Sequence, residues 1–273
     1  MKVEQILKQR DGIPFYTTPD FERHPELAAG FATRLGGVSE GMFAQFNFGF
    51  SRGDEVPHVR ENYRRFAKAL GVDAAGIAAV RQVHSDIVLT APQQGVANPF
   101  SGTPLQSADG VLTATPGIYP VCYFADCIPL LIYAPDRRVC AAVHAGWRGA
   151  LQNILEKALR IMERQHGVDL GQTLLAIGPS ICPHCFEVGE EVAAQFAQAF
   201  PDCPELILEG YPKPHVDLWR AVEHSALRCG LRPHNITGLG LCNYEAPERF
   251  FSHRRHGEDR GVLMALIGVL PEA

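Results

Sequence analysis

The sequence has no long hydrophobic run, and this absence limits the kinds of protein it can be. Its longest apolar stretch, residues 262–270, is less than half of the ~20 residues that a transmembrane helix needs. The first eleven residues carry several charges and lack the apolar core of a secretion signal. We therefore expect a cytoplasmic protein without a membrane partner.

An excess of positive charge is also missing. The 25 basic residues are outnumbered by 30 acidic ones, which gives a net charge of −5. This balance gives no electrostatic reason to expect nucleic acid as a partner. Eight cysteines are present, but a disulfide framework is typical of short secreted chains and not of 273 residues without a signal. We expect reduced thiols that pack in the core or bind metal.

Apolar periodicity predicts helices over residues 56–70, 149–166 and 188–199, and a fourth between a cap at Asp217 and a stop at Gly230. Apolar runs predict nine strands: 77–83, 87–90, 111–113, 121–124, 130–133, 139–144, 174–177, 236–241 and 262–269. The strands cluster and the helices interrupt them irregularly, which favours an α+β fold of mixed β-sheets flanked by helices. The segment 92–104 is the best linker candidate, but we predict one catalytic domain over residues 1–273.

Three potential metal ligands lie at or near the ends of apolar strands. They are His84, Cys127 and His144. Two imidazoles and one thiolate suit zinc, and three protein ligands leave a fourth position for water or substrate, as in catalytic sites. The spacing alone does not select these three from eleven His and eight Cys residues, because a histidine at a strand end is more often a hydrogen-bonded core or rim residue. Asp126, beside Cys127, is a candidate for orienting a ligand or accepting a proton.

Three further segments carry potential anion-binding groups. Residues 146–149 connect a strand to a helix, and their N–H groups with Arg148 form a potential anion site. A glycine-rich segment at 33–39 contains Arg34 and is followed by Asn47. A basic run at 252–256 includes Arg254, with Arg260 shortly after it. Tight connections and solvated surface charge explain such segments equally well.

Together these segments resemble the YfiH-like family, which has been labelled multicopper polyphenol oxidase or laccase-domain and is now interpreted as purine nucleoside phosphorylases. The matching stretches, in family order, are residues 30–34, 36–39, 47, 82–84, 108–110, 125–129, 143–149, 178–179, 187–189, 252–255 and 260–261. The resemblance implies that His84, Cys127 and His144 bind the metal, in a single-domain fold of the CNF/YfiH-like type. One departure is His253, where many members carry an aromatic residue.

The resemblance also implies the activity and its partners. Adenosine, inosine and methylthioadenosine would be split by phosphate, adenosine and inosine giving free base and ribose 1-phosphate, and adenosine would also be deaminated. On this hypothesis Arg34, Asn47, Arg148 and Arg254 bind substrate or phosphate. Cys127, Asp126 and Arg148 carry the catalysis, with Asp126 moving the proton and Zn²⁺ as cofactor.

Four alternatives stay open. A laccase needs several His-x-His pairs, and the sequence contains none, so copper would occupy the same three ligands as zinc. Cys127 could instead be a nucleophile activated by His84 or His144. Cys182 and Cys185 form a Cys-x-x-Cys pair that fits a redox protein, a structural zinc or a packed turn, although no second Cys or His pair lies at a familiar spacing. The fourth alternative is a non-enzymatic binding protein. The sequence also leaves open which nucleoside is preferred and how many copies of the chain assemble.

Overall fold

The computed structural model describes residues 1–93, 95–101, 103 and 105–272. Its strands are β1 Lys2–Val3, β2 Ile6–Arg10, β3 Ile13–Thr17, β4 Leu27–Ala32, β5 Ile77–Ala78, β6 Val88–Ala91, β7 Gly110–Thr113, β8 Tyr119–Phe124, β9 Ile128–Ala134, β10 Val139–Ala145, β11 Leu174–Ile177, β12 Ile207–Leu208, β13 His215–Val216, β14 Ile236–Gly238 and β15 Leu263–Val269. Its α-helices are α1 Pro19–Glu22, α2 Val56–Leu70, α3 Trp147–Leu151, α4 Ile154–His166, α5 Glu190–Ala199, α6 Leu218–Cys229 and α7 His253–His256.

Two large mixed sheets dominate the fold. One has the order β1-β14-β11-β9-β10-β7-β6 and the other the order β2-β3-β4-β15-β8-β5. β9 and β10 form an antiparallel hairpin in register from Val139 opposite Ala134 to Ala145 opposite Ile128. β14 pairs in parallel with both β1 and β11. The predicted α+β class is confirmed.

The two sheets pack face to face. Successive residues of a strand point to opposite sides, so each central strand contributes one set of side chains to the space between the sheets and the other set to the outer face. In β9, Leu131 and Tyr133 pack in the cluster between the sheets. Leu130 and Ile132 of the same strand pack in the cluster that includes α4 and α6. The helix α2 covers the outer face of the second sheet. Strands buried on both faces are continuously apolar, which explains why the central strands show no alternation in the sequence.

Most predicted helices and central strands are confirmed, and the differences have local causes. The helix predicted over 149–166 is two helices, because Asn153 between α3 and α4 has a left-handed backbone with φ of 56°, which asparagine tolerates better than most residues. The helix α6 begins after its Asp217 cap as predicted. Leu227 of this helix is 38% exposed although its place in the apolar pattern predicts burial. Six strands were not predicted, namely β1 to β4, β12 and β13, and the strand predicted over 77–83 covers only Ile77–Ala78.

The segment 92–104, predicted as a linker candidate, packs on the body of the protein. Residues 94, 102 and 104 of this segment lie outside the described residues. The ring of Phe100 lies 4.8 Å from that of Tyr63, and Ala97 forms a bridge with Ala79. All eight cysteines are free thiols. Among the described residues, no helix has both the length and the apolar character that crossing a bilayer requires.

Candidate functional site

The structure brings the three predicted metal ligands together. One donor atom from each of His84, Cys127 and His144 lies within 4.8 Å of the donor atoms of the other two. The Cys127 sulfur is 3.7 Å from His84 Nε2. The two imidazole rings lie 4.9 Å apart, centroid to centroid, nearly perpendicular to each other. This donor set could hold one divalent metal ion, and its mixture of nitrogen and sulfur suits zinc.

The topology explains why residues so distant in sequence meet. Cys127 directly precedes β9, and His144 is the penultimate residue of β10. In the antiparallel hairpin the start of β9 lies beside the end of β10, with His144 opposite Pro129. His84 follows β5 in a loop that Gln82 anchors through two hydrogen bonds to the backbone of Tyr123.

Asp109 fixes both histidines, and its role was missed from the sequence. Its Oδ1 accepts hydrogen bonds from His144 Nδ1, at 2.9 Å, and from the His84 backbone N–H, at 3.0 Å. Its Oδ2 accepts from the backbone N–H groups of Val83 and Ser85 and from the Ser85 hydroxyl. A carboxylate that binds one imidazole nitrogen directs the other, here His144 Nε2, toward a metal. The stretch Ala108-Asp109-Gly110 is one of the family motifs, but its sequence does not indicate what Asp109 does.

The protonation states of the cluster depend on each other. Burial by itself would raise the pKa of Asp109, but hydrogen bonds from His144 and Ser85 outweigh it and lower the pKa to about 2. Burial likewise opposes charge on Cys127 and His144. The neighbouring imidazoles nevertheless lower the pKa of Cys127 to about 6, and the Cys127 and Asp109 charges raise the pKa of His144 to about 9. The two shifts favour a thiolate on Cys127 and an imidazolium on His144.

Gly146 leaves room for the ligands to approach. A Cβ atom at this position would lie 2.8 Å from His84 Cδ2 and 3.1 Å from the Cys127 sulfur. Any larger residue would displace one ligand. Gly146, predicted from the sequence to give a tight strand-to-helix turn, thus also determines how closely the three candidate ligand side chains can approach each other.

Two cavities meet at this cluster, and five residues line both of them: Arg52, His84, Ala125, Cys127 and Arg260. The first, which we call the aromatic lobe, has a volume of about 320 Å³. Its aromatic lining residues are Phe48, Phe50, Tyr63, Tyr123 and Phe124. Such a mostly apolar pocket with a few polar groups is typical of small-molecule sites.

The second cavity, the basic lobe, has a volume of about 400 Å³. Arg148, His253 and Arg254 line this lobe alone, whereas Arg52 and Arg260, like His84, also line the aromatic lobe. Trp147, which stacks under the Arg148 guanidinium at 4.3 Å, also lines it. Glu258 neutralises one of these charges, because it forms an ion pair with Arg52 at 2.5 Å. The remaining guanidinium groups make this lobe suitable for an anion.

Asp126 and Arg260 provide the buried polar atoms of the basic lobe. Asp126 Oδ2 accepts the Arg254 backbone N–H at 2.6 Å, and its Oδ1 is buried without a hydrogen-bond partner among the described residues. Arg260 is 6% exposed, and its Nε is likewise unpartnered in the described part of the chain. Burial and the charge of Arg52 lower the pKa of Arg260, whereas Asp126 acts in the opposite direction. The sequence placed Arg260 only in a basic run and did not mark it as a site residue.

Arg34 and Asn47 are corrections to the predicted binding set. The Arg34 guanidinium donates to the backbone carbonyls of Ala44 and Pro247 and stacks on Phe251. Asn47 is fully buried and binds the backbone of Gly49 and Val262. Among the described residues that line the two lobes, neither is present. Both side chains hold loops of the fold in place outside the two lobes.

Comparisons with known proteins identify the family of the chain. Residues 28–270 match the model of the family described as multi-copper polyphenol oxidoreductase laccase. A protein of Deinococcus radiodurans named purine nucleoside phosphorylase is 37% identical over 253 residues, covering 90% of this chain and 92% of the relative. The crystal structure of YlmD from Geobacillus stearothermophilus superposes with a TM-score of 0.89 at 28% identity, over 98% of this chain and 100% of the other. Bacillus licheniformis YfiH superposes with a TM-score of 0.86 at 26% identity, over 96% and 98%. The chain belongs to this laccase-like YfiH family.

Proposed function

We propose that the chain is a zinc-dependent purine nucleoside phosphorylase that splits adenosine, inosine and methylthioadenosine with phosphate and deaminates adenosine as a side activity. The name of the Deinococcus relative supports the reaction class. The observation that carries the proposal is the position of the ligand cluster between an aromatic and a basic lobe. A nucleoside and a phosphate need these two environments side by side.

The aromatic lobe is the proposed site of the purine. Aromatic rings offer flat apolar surfaces, and Tyr63 and Tyr123 add hydroxyl groups that bond to each other at 2.6 Å. Burial raises the pKa of both phenols well above the ordinary value, so they stay neutral. A neutral aromatic wall fits an uncharged base.

The basic lobe is the proposed site of the phosphate. Arg148 and Arg254 are kept from the predicted set, and Arg260 takes the place of Arg34 and Asn47. A bound phosphate oxygen forms the new bond to C1′ of the ribose, while the C1′–N9 bond breaks and its electrons leave with the purine. Positioning the two reactants and stabilising their charge supply much of the rate in such a transfer.

Asp126 is the proposed group for moving a proton. Asp126 lines the basic lobe, and its Oδ1 is buried without a hydrogen-bond partner among the described residues, so this oxygen can still accept a hydrogen bond. Its other oxygen is fixed by the Arg254 N–H, which holds the carboxylate in place. In deamination a water oxygen would bond to the purine carbon that carries the amino group while the carbon–nitrogen bond breaks, and Asp126 would take a proton from the water and pass it to the departing amine.

The three ligands fit zinc by the chemistry of their donors, and His144 is already oriented by Asp109. A zinc ion bound there would supply Lewis-acid chemistry at the junction of the lobes. The protein itself contributes the preformed donor positions, the room beside Gly146 and the charge of the basic lobe.

The test incubates metal-quantified protein with adenosine, inosine or methylthioadenosine, with and without phosphate. We expect phosphate-dependent release of free base that falls more than about 100-fold in Cys127→Ala, because the metal loses its thiolate. Cys229→Ala is the matched control, since Cys229 is a buried thiol on α6 outside both lobes. Base release that is unchanged in Cys127→Ala would contradict the proposal, and inosine formation without phosphate reports the deaminase.

A cysteine hydrolase is the second candidate, because the Cys127 sulfur lies 3.7 Å from His84 Nε2 and its pKa is lowered to about 6. Metal-free protein would then be active and would be inactivated by alkylation. Copper is the alternative ion at the same ligands, as the family description suggests. Polyphenol oxidation by copper-loaded protein, without phosphorolysis by zinc-loaded protein, would favour that alternative.

A further inference from the structure

A second cluster of potential metal ligands lies outside the lining of both lobes. It consists of Cys182, Cys185, Cys242 and Glu245, whose donor atoms all lie within 4.8 Å of one another. Together with the His84 cluster, it is one of two such groups among the described residues. Three sulfurs and one carboxylate are a different donor set from the two imidazoles and one thiolate of the first cluster.

Parallel strand pairing brings these residues together. β11 and β14 are parallel neighbours, so the loops that follow them leave the same edge of the sheet. The pairing continues beyond the strands through a bridge between Ser180 and Cys242. Cys-x-x-Cys after β11 therefore faces Cys-x-x-Glu after β14. Two pairs at this short spacing are typical of structural zinc sites, and the second pair is visible only in the fold.

The four donor atoms are close enough to bind one ion. Sulfurs bound to zinc at 2.3 Å lie about 3.8 Å from each other, and all four donor atoms here lie within 4.8 Å of one another. The Cys242 sulfur accepts the Cys182 backbone N–H at 3.3 Å, an interaction that favours a thiolate. The Cys185 thiol points at Glu245 Oε1 at 3.7 Å. Cys182 and Cys242 are buried while Glu245 is exposed, so an ion can enter from the Glu245 side.

We propose that Cys182, Cys185, Cys242 and Glu245 form a second metal site, which binds zinc with four protein ligands and stabilises the fold. Four ligands leave no position for substrate, which is typical of structural zinc. The ion would join the loop after β11 to the loop after β14, two segments that are otherwise connected mainly by backbone hydrogen bonds such as Ser180 N–H to Leu241 O.

The second site is connected to the basic lobe through Arg254. Its guanidinium donates to the carbonyls of Cys185, at 3.4 Å, and Glu187, at 2.8 Å. Ile181 and Phe186 of the same loop line the basic lobe. An ion at the second site would thus fix one wall of the lobe without touching substrate.

The experiment measures metal content and cobalt spectra under reducing conditions. Wild type should retain two zinc ions per chain, and Cys127→Ala should retain the ion of the second site. Cobalt-loaded Cys127→Ala should show intense thiolate-to-cobalt charge-transfer absorption, because the first site then lacks sulfur. This absorption should disappear when Cys185→Ser is added and persist when Cys229→Ser is added instead, since Cys229 lies outside both clusters.

A variant of the exposed ligand keeps the test valid if a cysteine change prevents folding. Glu245→Gln should lose its cobalt to a chelator at least several-fold faster, whereas Glu248→Gln, a nearby carboxylate outside the cluster, should not. Absence of thiolate–cobalt absorption in Cys127→Ala would overturn the proposal, and so would absorption that Cys185→Ser leaves unaffected. A disulfide among Cys182, Cys185 and Cys242 in protein freshly purified under reducing conditions would also overturn it.

Discussion

The two ligand clusters of this protein differ in what their donors face. His84, Cys127 and His144 offer three donors at the junction of two cavities. The cysteine cluster offers four donors between two loops, outside both cavities. With three donors beside a cavity, an ion at the first cluster would have an open position for substrate. With four donors outside the cavities, an ion at the second cluster would only stabilise the chain.

The clusters also differ in how their donors are fixed. The first is attached to the central hairpin and to one buried carboxylate, Asp109, that bonds to backbone and imidazole alike. The second depends on loops that follow β11 and β14 and on a single bridge beyond them. We expect the first to keep its shape without metal and the second to lose order.

The largest expected effect separates activity from stability. Cys127→Ala should lower phosphorolysis more than about 100-fold and change the unfolding temperature by only a few degrees. Cys182→Ser should lower the unfolding temperature by roughly 5 °C or more, because a buried structural ion contributes to folding. Calorimetry and steady-state rates on both variants, with Cys229→Ala as the control, measure the two effects. Equal loss of stability in both cysteine variants would break the comparison.

Asp109→Asn tests the fixed shape of the first cluster. The amide cannot accept all the N–H groups that the carboxylate accepts from residues 83–85 and His144. Affinity for zinc at the first site should fall about 10- to 100-fold, as measured by competition with a chromogenic chelator. Asp86→Asn, at a surface carboxylate that pairs with Lys157, is the control. Unchanged affinity would show that Asp109 has no orienting role.

The pH dependence of zinc binding distinguishes the clusters further. In the metal-free first cluster the pKa of Cys127 is about 6 and that of His144 about 9. Between these values binding must release the His144 proton, so affinity should rise about tenfold per pH unit and level off above pH 9. Calorimetry in buffers of different ionisation enthalpy counts the proton. Binding without proton release at pH 7.5 would contradict the thiolate–imidazolium pair.

The smallest expected effect lies where the two regions meet. Arg254→Met removes a guanidinium that lines the basic lobe and bonds to the Cys185 and Glu187 carbonyls. The KM for phosphate should rise about tenfold with little change in the KM for nucleoside, because the loss of one charged hydrogen bond is of this size. Arg255→Met is the control, since Arg255 bonds to Tyr244 O. A larger effect on nucleoside than on phosphate would reverse the assignment of the lobes.

The central part of the fold was predictable because its signals are local. The helix α2 has a regular apolar face and a left-handed Gly71 at its end, and its predicted bounds are confirmed. The strands β9 to β11 are apolar runs long enough to recognise. The hairpin of β2 and β3 carried a signal that was overlooked: Asp11 and Gly12 both have positive φ, as a two-residue turn requires. Its edge strand β2 is too polar to recognise by hydrophobicity.

The candidate site was only partly predictable, because its contacts join distant segments. The three metal ligands came from the order of family motifs and from their positions near strand ends. The contact of Asp109 with His144 depends on the pairing of β7 with β10, which no local pattern shows. Arg34 was predicted to bind an anion because the sequence does not show whether an arginine side chain is free. In the structure its guanidinium donates to backbone carbonyls. Cys242 lies 60 residues from Cys182 in the sequence. The two residues come into contact because β11 and β14 are adjacent strands, which the sequence alone does not show.

The backbone of His84 has a consequence for the evolution of the chain. Its φ is 60°, and that of Asp126 is 89°, conformations that cost a non-glycine residue free energy. A change of His84 to glycine would relieve this strain while removing a metal ligand, so the inactive variant should be as stable as the wild type or more so. Selection for stability alone would then remove the histidine. As a proposed metal ligand, His84 would be a residue kept for its imidazole at a cost in folding free energy.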